Sequence, residues 1–260
     1  MTTGAPPART ALVTGASRGI GRATALALSR RGDRVAVHYG SDRAAAEQTR
    51  ALLSGAGHLV VGGDLADPVT AQRVVAEVQR ELGRIDILVN NAAVAPSPET
   101  YHRVENTDFE TWQRVWNRMV DVDLTAPATM TYLVARALIA ANAPGVIVNI
   151  GSRGAFRGEP DHPAYGAAKA GLHAFGQSMA VALAPHGIAV ATVAPGFVGT
   201  ERQQPKLAGD TGDELRAQSP FGRVGTAEEV AAAVVYLTSP EAQWASGAIL
   251  DLNGASHLRT

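Results

Sequence analysis

A serine, a tyrosine and a lysine are spaced along the chain in a way that suits proton transfer to a carbonyl oxygen. Tyr165 precedes Lys169 by four residues, and Ser152 lies thirteen residues before Tyr165. Residues at i and i+4 share one face of a helix. A nearby ammonium lowers the pKa of a phenol, which is otherwise near 10 and too weak an acid to exchange protons readily at neutral pH. We therefore predict that Tyr165 is a general acid or base, that Lys169 tunes it, and that Ser152 polarises the substrate oxygen.

A glycine-rich turn follows the first apolar run of the chain. It reads Thr14-Gly-Ala-Ser-Arg-Gly-Ile-Gly21 and stands between a predicted strand and a predicted helix. Glycines in such a turn let the backbone approach a pyrophosphate, which binds at the helix N-terminus. The spacing G-x-x-x-G-x-G differs from the commoner G-x-G-x-x-G. The prediction of a nucleotide-binding turn therefore depends more on its position between a strand and a helix than on the glycine spacing. The predicted cofactor contacts in this turn are Gly15, Ser17, Arg18, Gly19, Ile20 and Gly21.

The end of the second predicted strand indicates which dinucleotide is bound. An acidic residue at this position binds the adenosine ribose and favours NAD. Here the position is Tyr39, which leaves room for a 2′-phosphate that Ser41, Arg43 and Arg18 are placed to contact. Two other interpretations stay open: both arginines are solvated surface charges, or Asp42 caps the next helix. We predict NADP(H) as the cofactor, with NAD(H) as the alternative.

Polar residues at the ends of the next two strands extend the predicted cofactor site. Asp64 and Leu65 follow the third strand, where the carboxylate either accepts a hydrogen bond from the adenine amino group or stabilises a turn. Asn90, Asn91 and Ala92 follow the fourth strand. We expect Asn90 to bond the backbones of neighbouring strands, and the small residues after it to leave space for adenosine. A plain Asn-rich turn would have a similar sequence.

Composition limits the kind of protein this chain forms. It has 260 residues, 46% of them hydrophobic, a net charge of −1 and no cysteine. We expect one domain over 1–260, no disulfide or thiolate chemistry, and a cytoplasmic location. The first ten residues lack the apolar core of a signal peptide, and no apolar run is long enough to span a membrane. We expect no nucleic-acid or membrane partner and no metal, since charge runs and metal-ligand spacings are missing.

Short apolar runs alternate with longer segments of helical periodicity. Continuous apolarity suits strands of a parallel sheet that is covered on both faces, and strand–helix alternation gives right-handed crossovers. The fold class predicted is α/β, a Rossmann-like doubly wound parallel sheet of about seven strands flanked by helices. The predicted strands are 10–13, 34–39, 58–61, 85–89, 146–150, 188–193 and 248–252. The predicted helices are 19–31, 42–55, 68–82, 108–141, 163–185 and 226–238.

Two segments, 92–108 and 197–225, show no regular pattern. Ligands in doubly wound sheets bind beyond the carboxyl ends of the strands, where long loops form walls. We interpret both segments as substrate walls, with mobile surface loops as the alternative. Further candidates for the substrate entrance are Arg153, Phe156, Arg157 and His162. The histidine among them is either a second acid or an exposed bystander.

These motifs, in this order, resemble the short-chain dehydrogenase/reductase family, and within it the branch similar to 3-oxoacyl-[acyl-carrier-protein] reductase. The resemblance covers nearly the whole chain, from the glycine turn to the C-terminal Leu250-Asp-Leu-Asn-Gly254. It implies a Rossmann-like domain, a nicotinamide cofactor and a homotetramer, and it implies that Lys169 also holds the nicotinamide ribose. The residues that the resemblance places against the nicotinamide carboxamide are Pro195, Gly196, Val198 and Thr200.

One position departs from the resemblance. The family's fourth catalytic residue is an asparagine on the long helix after strand 4, where this chain has Asp123. The asparagine holds a water in a proton relay, largely through its backbone carbonyl, and stabilises a helix kink. Aspartate keeps that carbonyl but adds a charge near Lys169, which either pairs with the lysine or raises the carboxyl's own pKa through burial. We expect catalysis to survive the change.

The leading hypothesis is an NADP(H)-dependent oxidoreductase, a ketoreductase for a small 3-oxoacyl-type or other carbonyl substrate. Three alternatives stay open: an NAD(H)-dependent sugar, polyol or other alcohol dehydrogenase; a lyase or epimerase that recycles its cofactor; and a non-catalytic nucleotide sensor. A sensor would be expected to lose the tyrosine or the lysine, and this chain keeps both.

The predicted helices 108–141 and 163–185 carry apolar residues on more than one face. One face must cover the sheet, and the other is too apolar to remain in water. We therefore expect the two helices to form a two-fold contact between subunits. A second two-fold contact at 248–260 would complete a homotetramer.

Overall fold

A computed structural model describes residues 8–259 of the chain; residues 1–7 and 260, which the predicted single domain includes, lie outside the described part. The strands are β1 (Thr10–Val13), β2 (Arg34–Tyr39), β3 (Leu59–Gly62), β4 (Ile87–Asn90), β5 (Gly145–Ile150), β6 (Ile188–Pro195) and β7 (Ile249–Leu252). The helices are α1 (Gly19–Arg30), α2 (Arg43–Ala51), α3 (Pro68–Leu82), α4 (Phe109–Val120), α5 (Ala126–Ala140), α6 (Gly154–Arg157), α7 (Pro163–Leu183), α8 (Gln204–Ala208), α9 (Gly212–Ala217) and α10 (Ala227–Leu237).

The seven strands form one parallel sheet in the order β3-β2-β1-β4-β5-β6-β7. The chain builds outward from β1 to β3, then returns to place β4 on the other side of β1 and continues to β7. This reversal between β1 and β4 opens a crevice beyond their carboxyl ends, which is where doubly wound sheets bind ligands. The predicted α/β fold with a parallel seven-stranded sheet is confirmed.

The central strands are mostly apolar, as suits a sheet whose two faces are both covered by helices. β1, β4 and β6 are buried along their whole length. One face packs into a core that includes Leu12 and Leu138, and the other into a core that includes Val13, Leu28 and Val234. Fully burying one such side chain stabilises the fold by about 1.5–3 kcal/mol, and truncating Leu138 to alanine would cost about 2–5 kcal/mol.

Side-chain caps begin α3 and α10. At α3, Asp67 accepts hydrogen bonds from the N–H groups of Val69 and Thr70 at 3.1 and 3.2 Å, and Pro68 occupies the first turn. At α10, Thr226 and Glu229 form a reciprocal capping box. Both devices satisfy amide donors that a helix N-terminus leaves free.

The structure departs from the predicted elements most clearly in two places, apart from shifts at element ends and the unpredicted short helix α6. A π-helical turn, Asp121–Thr125, separates α4 from α5 in what the sequence pattern predicts as one helix. Hydrophobic periodicity is similar on both sides of this turn, so the pattern hides it. The predicted irregular segment 197–225 contains the short helices α8 and α9, whereas 92–108 contains only two 3₁₀ turns, Pro98–Thr100 and Val104–Asn106.

Candidate active site

A cleft of about 980 Å³ opens beyond the carboxyl ends of the central strands. It is lined by the glycine turn after β1 and also by Ser152, Tyr165 and Lys169. Both irregular segments contribute to its walls, for example through Ser97 and Gln203. The fold therefore brings the two predicted groups of residues into one cleft, with the predicted substrate walls beside them.

The glycine turn is held by close backbone contacts that no larger residue would permit. Gly19 has a φ of +55°, in the left-handed region that glycine adopts readily. A Cβ at Gly21 would lie 2.4 Å from the carbonyl oxygen of Gly15. The Asn91 amide donates to the carbonyls of Thr14 and Gly15 at 2.8 and 3.1 Å, which ties the turn to the end of β4. All six predicted turn residues line the cleft: Gly15, Ser17, Arg18, Gly19, Ile20 and Gly21.

His38, which the sequence reasoning did not assign to the site, supports this turn from β2. Its Nδ1 accepts the N–H of Gly15 at 3.2 Å, which leaves Nε2 to donate to the carbonyl of Gly63 at 3.0 Å. Burial lowers the pKa of His38 to about 4, so the ring stays neutral and keeps both bonds at neutral pH. A polar residue inside an apolar strand was the signal in the sequence.

Residues after β2 form the wall where the adenosine ribose is expected. Ser41, Asp42 and Arg18 line the cleft. Asp42 caps α2 by accepting the N–H of Ala45 at 3.0 Å, and its carboxylate lies 4.0 Å from the Arg18 guanidinium. The capping role that the sequence left open is therefore present, together with a contact to one of the two candidate phosphate-binding arginines.

Two residues of the predicted cofactor set, Tyr39 and Arg43, lie outside the lining of the cleft. The Tyr39 ring packs over Gly62, where any side chain would collide with it. The Arg43 side chain is 73% exposed and pairs with Glu47 at 3.7 Å along α2. Tyr39 is the last residue of β2 and Arg43 is the first residue of α2. The strand and the helix set the directions of these two side chains, and neither side chain points into the cleft.

Asp64, Leu65 and Ala92 line the cleft as predicted. The Asp64 carboxylate is bound by Arg118 of α4 at 2.7 Å and accepts the N–H of Ala66 at 3.1 Å. With both oxygens partnered inside the protein, the turn interpretation of Asp64 is the one that the geometry favours.

Pro195, Gly196, Val198 and Thr200 line the cleft at the end of β6. The N–H of Gly196 donates to Leu252 of β7 at 3.0 Å, and the N–H of Thr200 donates to the carbonyl of Val198 at 2.9 Å. These bonds fix the backbone that leads from the sheet into the segment 197–225.

A carboxylate stands at the N-terminus of α1, where dinucleotide phosphates would bind. Glu201 accepts the N–H of Gly19 at 3.1 Å, and its other oxygen lies 3.2 Å from the Arg22 guanidinium. An amide and an arginine that already hold one anion suit the phosphates of a dinucleotide. The residues of the turn therefore fit the predicted cofactor.

Ser152, Tyr165 and Lys169 converge beside β5. The Ser152 hydroxyl accepts the N–H of Gly154 at 3.0 Å and lies close enough to Tyr165 to affect the pKa of its phenol. One turn further along α7, the buried Lys169 ammonium lies 5.7 Å from the centre of the Tyr165 ring and donates to the carbonyl of Ile150 at 3.1 Å. A ligand oxygen placed between the serine and tyrosine hydroxyls would accept hydrogen bonds from both.

Asp123 is fully buried within the π-helical turn. Its Oδ1 accepts the N–H of Val94 at 2.6 Å, whereas Oδ2 has no hydrogen-bond partner within residues 8–259. Burial raises its pKa to about 6, although Lys169, the Val94 N–H and Arg118 act in the opposite direction. Of the two outcomes that the sequence left open, the raised pKa is the one present; within residues 8–259 Asp123 forms no salt bridge with Lys169, whose charge acts on the carboxyl without direct contact.

The expected lowering of the Tyr165 pKa is not found. Burial raises the pKa of the phenol above its ordinary value, and the negative charge of Asp123 raises it further; the nearby Ser152 hydroxyl acts the other way. Burial also lowers the pKa of Lys169, while Asp123 raises it. The charge of Asp123 therefore opposes the lowering of the Tyr165 pKa that we expected from the Lys169 ammonium.

Two buried polar residues form hydrogen bonds at the carboxyl ends of β4 and β5, next to Ser152. The Asn90 amide donates to Asn149 of β5 at 2.9 Å and to Thr131 of α5 at 3.1 Å, so it joins side chains rather than the backbones that we expected. His173, one turn beyond Lys169 on α7, accepts the N–H of Ser152 at 3.4 Å. Its spacing of four from the lysine was the sequence signal.

Across residues 8–259, no group of three or more His, Cys, Asp or Glu side chains is arranged to hold a metal ion. In the same part of the chain, no helix is both long and apolar enough to cross a bilayer.

Comparison with known proteins places the chain among nicotinamide-dependent enzymes. The family profile described as enoyl-(acyl carrier protein) reductase matches residues 15–257. L-rhamnose 1-dehydrogenase (NAD(P)(+)) from Sphingomonas sp. is 34% identical, over 96% of this chain and 96% of that protein. 3-oxoacyl-[acyl-carrier-protein] reductase from Salmonella typhimurium is 36% identical, over 95% of this chain and 97% of that protein.

A solved structure shares both the fold and part of the sequence. The crystal structure described as ribose-5-phosphate isomerase from Brucella melitensis 16M superposes with a TM-score of 0.84 and 32% identity, over 95% of this chain and 92% of that one. The names of these similar proteins cover sugar oxidation, acyl reduction and isomerisation, so the likeness does not define a substrate.

Proposed function

Because the chain belongs to the short-chain dehydrogenase/reductase family, as its motifs indicated, we propose that it is an NADP(H)-dependent oxidoreductase that interconverts a ketone and a secondary alcohol. One observation carries the proposal: Ser152, Tyr165 and Lys169 line the same cleft as a glycine turn that already holds an anion. The family membership itself makes the protein a nicotinamide-dependent oxidoreductase.

The side chains of this cleft supply binding, polarisation and a proton. When bound, the nicotinamide supplies a hydride for reduction or accepts one in oxidation. In reduction, the Ser152 hydroxyl donates a hydrogen bond to the substrate carbonyl oxygen, and Tyr165 transfers its phenolic proton to that oxygen as charge develops. The Lys169 ammonium favours the phenolate that remains, and in oxidation this phenolate accepts the proton of the alcohol.

Preference for NADP(H) is proposed from the cleft wall after β2. The residue that ends β2 is Tyr39 rather than an acid, and Ser41 and Arg18 line the wall where a 2′-phosphate is expected. The carboxylate of Asp42, 4.0 Å from Arg18, favours a second candidate, an NAD(H)-dependent sugar or polyol dehydrogenase. The similarity to an L-rhamnose dehydrogenase named for both cofactors also supports this second candidate.

The variant Tyr165→Phe tests the catalytic assignment. It removes the proton donor and little else, so ketone reduction should fall by about a thousandfold or more while NADPH binding stays unchanged. Turnover is followed by loss of nicotinamide absorbance, and binding by calorimetry. Tyr236→Phe is the matched control, because that ring is 53% exposed on α10 and should leave both readouts at the wild-type level. Near-normal turnover by the Tyr165→Phe variant would remove Tyr165 from the mechanism.

A homotetramer is proposed as the assembly. Large apolar side chains remain exposed on α4, α5 and α7, which occupy the two segments predicted to form a subunit contact, and in the segments that flank β7. They are Phe109, Tyr132, Val181, Trp244 and Leu258. The proposed contact is smaller than the sequence pattern suggested, because part of the apolar set, including Met119, Met130 and Leu172, is buried within its own chain. A partner subunit would cover the side chains that remain exposed.

A further inference from the structure

The guanidinium directly after the catalytic serine is buried without an anion. Arg153 is 5% exposed, and its two terminal nitrogens donate to Ser256 and to the side-chain oxygen of Gln218. Both acceptors are uncharged. Within residues 8–259, no carboxylate lies within 4 Å of this guanidinium. Burial lowers the pKa of Arg153 and the charge of Arg157 lowers it further, whereas the more distant Glu159, which pairs with Arg157, acts in the opposite direction. A buried positive charge with only neutral acceptors is costly, so an anion that reached it would be bound strongly.

Neighbouring arginines differ from Arg153 in this respect. Arg157 lies 3.5 Å from a carboxylate of Glu159, and Arg216 lies 2.8 Å from Asp213. These pairs neutralise their own charges at the surface. Of the three arginines, only Arg153 is both buried and without a carboxylate partner. A guanidinium has five N–H donors, and the bonds to Ser256 and Gln218 use two of them, so donors remain for a ligand.

The position of Arg153 places this charge on the substrate side of the cleft. Its backbone N–H donates to the carbonyl of Pro195 at 3.0 Å, which fixes it between the ends of β5 and β6. Arg153 and Gln218 line the cleft and also an adjoining cavity of about 440 Å³ under the segment 197–225. The serine that would hold the reacting oxygen and the arginine that lacks an anion are therefore consecutive residues of one wall.

We propose that Arg153 binds a carboxylate of the substrate, so that the enzyme acts on oxo acids and the corresponding hydroxy acids. The inference rests on the proposed oxidoreductase function and adds the substrate class. The planar fork of a guanidinium matches a carboxylate with two parallel hydrogen bonds. Ser152 then holds the carbonyl oxygen while Arg153 holds the acid group, which orients the carbonyl toward the proton of Tyr165.

A binding measurement that needs no turnover tests the assignment. The protein is saturated with NADP⁺, with which a ketone cannot be reduced, and titrated calorimetrically with oxo acids from 3-oxobutanoate to 6-oxoheptanoate and with their methyl esters. Charge-assisted hydrogen bonds should make at least one acid bind about 10–100-fold more tightly than its ester. If every acid binds as weakly as its ester, Arg153 is not a carboxylate site.

Three variants separate the arginine from general charge effects. Arg153→Gln should abolish the preference for acid over ester, and Arg153→Lys should retain part of it because the charge remains. Arg216→Gln, which removes a guanidinium already paired with Asp213, should keep the wild-type preference. A preference that survives Arg153→Gln would overturn the proposal, and the wild-type comparison decides the matter if that variant does not fold.

The proposed function is judged separately by NADPH oxidation with the neutral methyl esters. Esters that are reduced as well as the acids would leave the oxidoreductase standing and would overturn the carboxylate site. If NADPH is oxidised with none of the ketones, acids included, the oxidoreductase proposal fails, whatever the binding titrations show.

Discussion

The substitution Asp123→Asn should move the pH dependence of catalysis in a defined direction. With a pKa of about 6, the wild-type carboxyl is about 99% ionised at pH 8, so its negative charge is present throughout the range in which a tyrosine titrates. Asparagine has the same shape and keeps an oxygen for the N–H of Val94. Loss of the charge should lower the pKa of Tyr165, because Asp123 raises it in the wild type.

A single nearby charge shifts a pKa by about one unit or more, and one unit corresponds to about 1.4 kcal/mol. The basic limb of kcat/KM for ketone reduction, which requires the protonated phenol, should therefore move down by at least about one pH unit. Alcohol oxidation requires the phenolate, so its rise with pH should begin at lower pH by the same amount. The fold and most of the activity at pH 7 should persist.

The assay is a pair of pH–rate profiles, one in each direction of the reaction, from pH 6 to the highest pH at which circular dichroism shows both proteins folded. Asp121→Asn is the control, since Asp121 is an exposed aspartate in the same π-helical turn and its loss should leave both profiles in place. Superimposable profiles for Asp123→Asn and the wild type would refute the electrostatic argument. An upward shift would refute it as well, because it would mean that Lys169 loses its proton without Asp123.

Three further outcomes are expected. NADPH should bind more tightly than NADH, and Arg18→Ala should weaken NADPH binding by about tenfold or more while Arg43→Ala changes little, since only Arg18 lines the cleft; equal affinities in the wild type would contradict this. The free energy of unfolding of the wild type should decrease as pH falls from about 6.5 toward 4, because His38 binds a proton more readily in the unfolded chain than when it is buried. In His38→Gln this decrease should be smaller; an equal dependence of the unfolding free energy on pH, measured by urea denaturation, would count against it. Light scattering should report about four times the 27.0 kDa chain mass, and a monodisperse monomer would exclude the tetramer.

Much of the fold could be predicted because its strands are buried on both faces. The bounds of β1, β2 and α3 agree with the prediction from apolar runs and helix caps. Errors of one or two residues occur at β3 and β4, where the apolar run does not coincide with the hydrogen-bonded ladder. The π-helical turn at Asp121–Thr125 was missed because an added backbone residue leaves little trace in hydrophobic periodicity.

The candidate site also has a part that could be predicted from the sequence and a part that could not. Ser152, Tyr165, Lys169 and the glycine turn were recognisable because each motif is local and its spacing is tied to one element. Three hydrogen bonds of the site join residues far apart in the chain: Asn91 to Thr14, Gly15 to His38, and Gly19 to Glu201. No spacing rule reaches such contacts.

The strand–helix order, the parallel sheet and the residue types of a hydride-transfer site follow from the amino-acid order alone, because they depend on local periodicity and on motifs of a few residues. Tertiary structure alone decided the charges that act on those residues. It buried Tyr165 and placed the charge of Asp123 near it, and both effects raise the pKa of the phenol; it turned Arg43 away from the cleft, and it enclosed Arg153 without a salt bridge. Electrostatic energy depends on distance and on exclusion of water, and both exist only once distant segments are packed together.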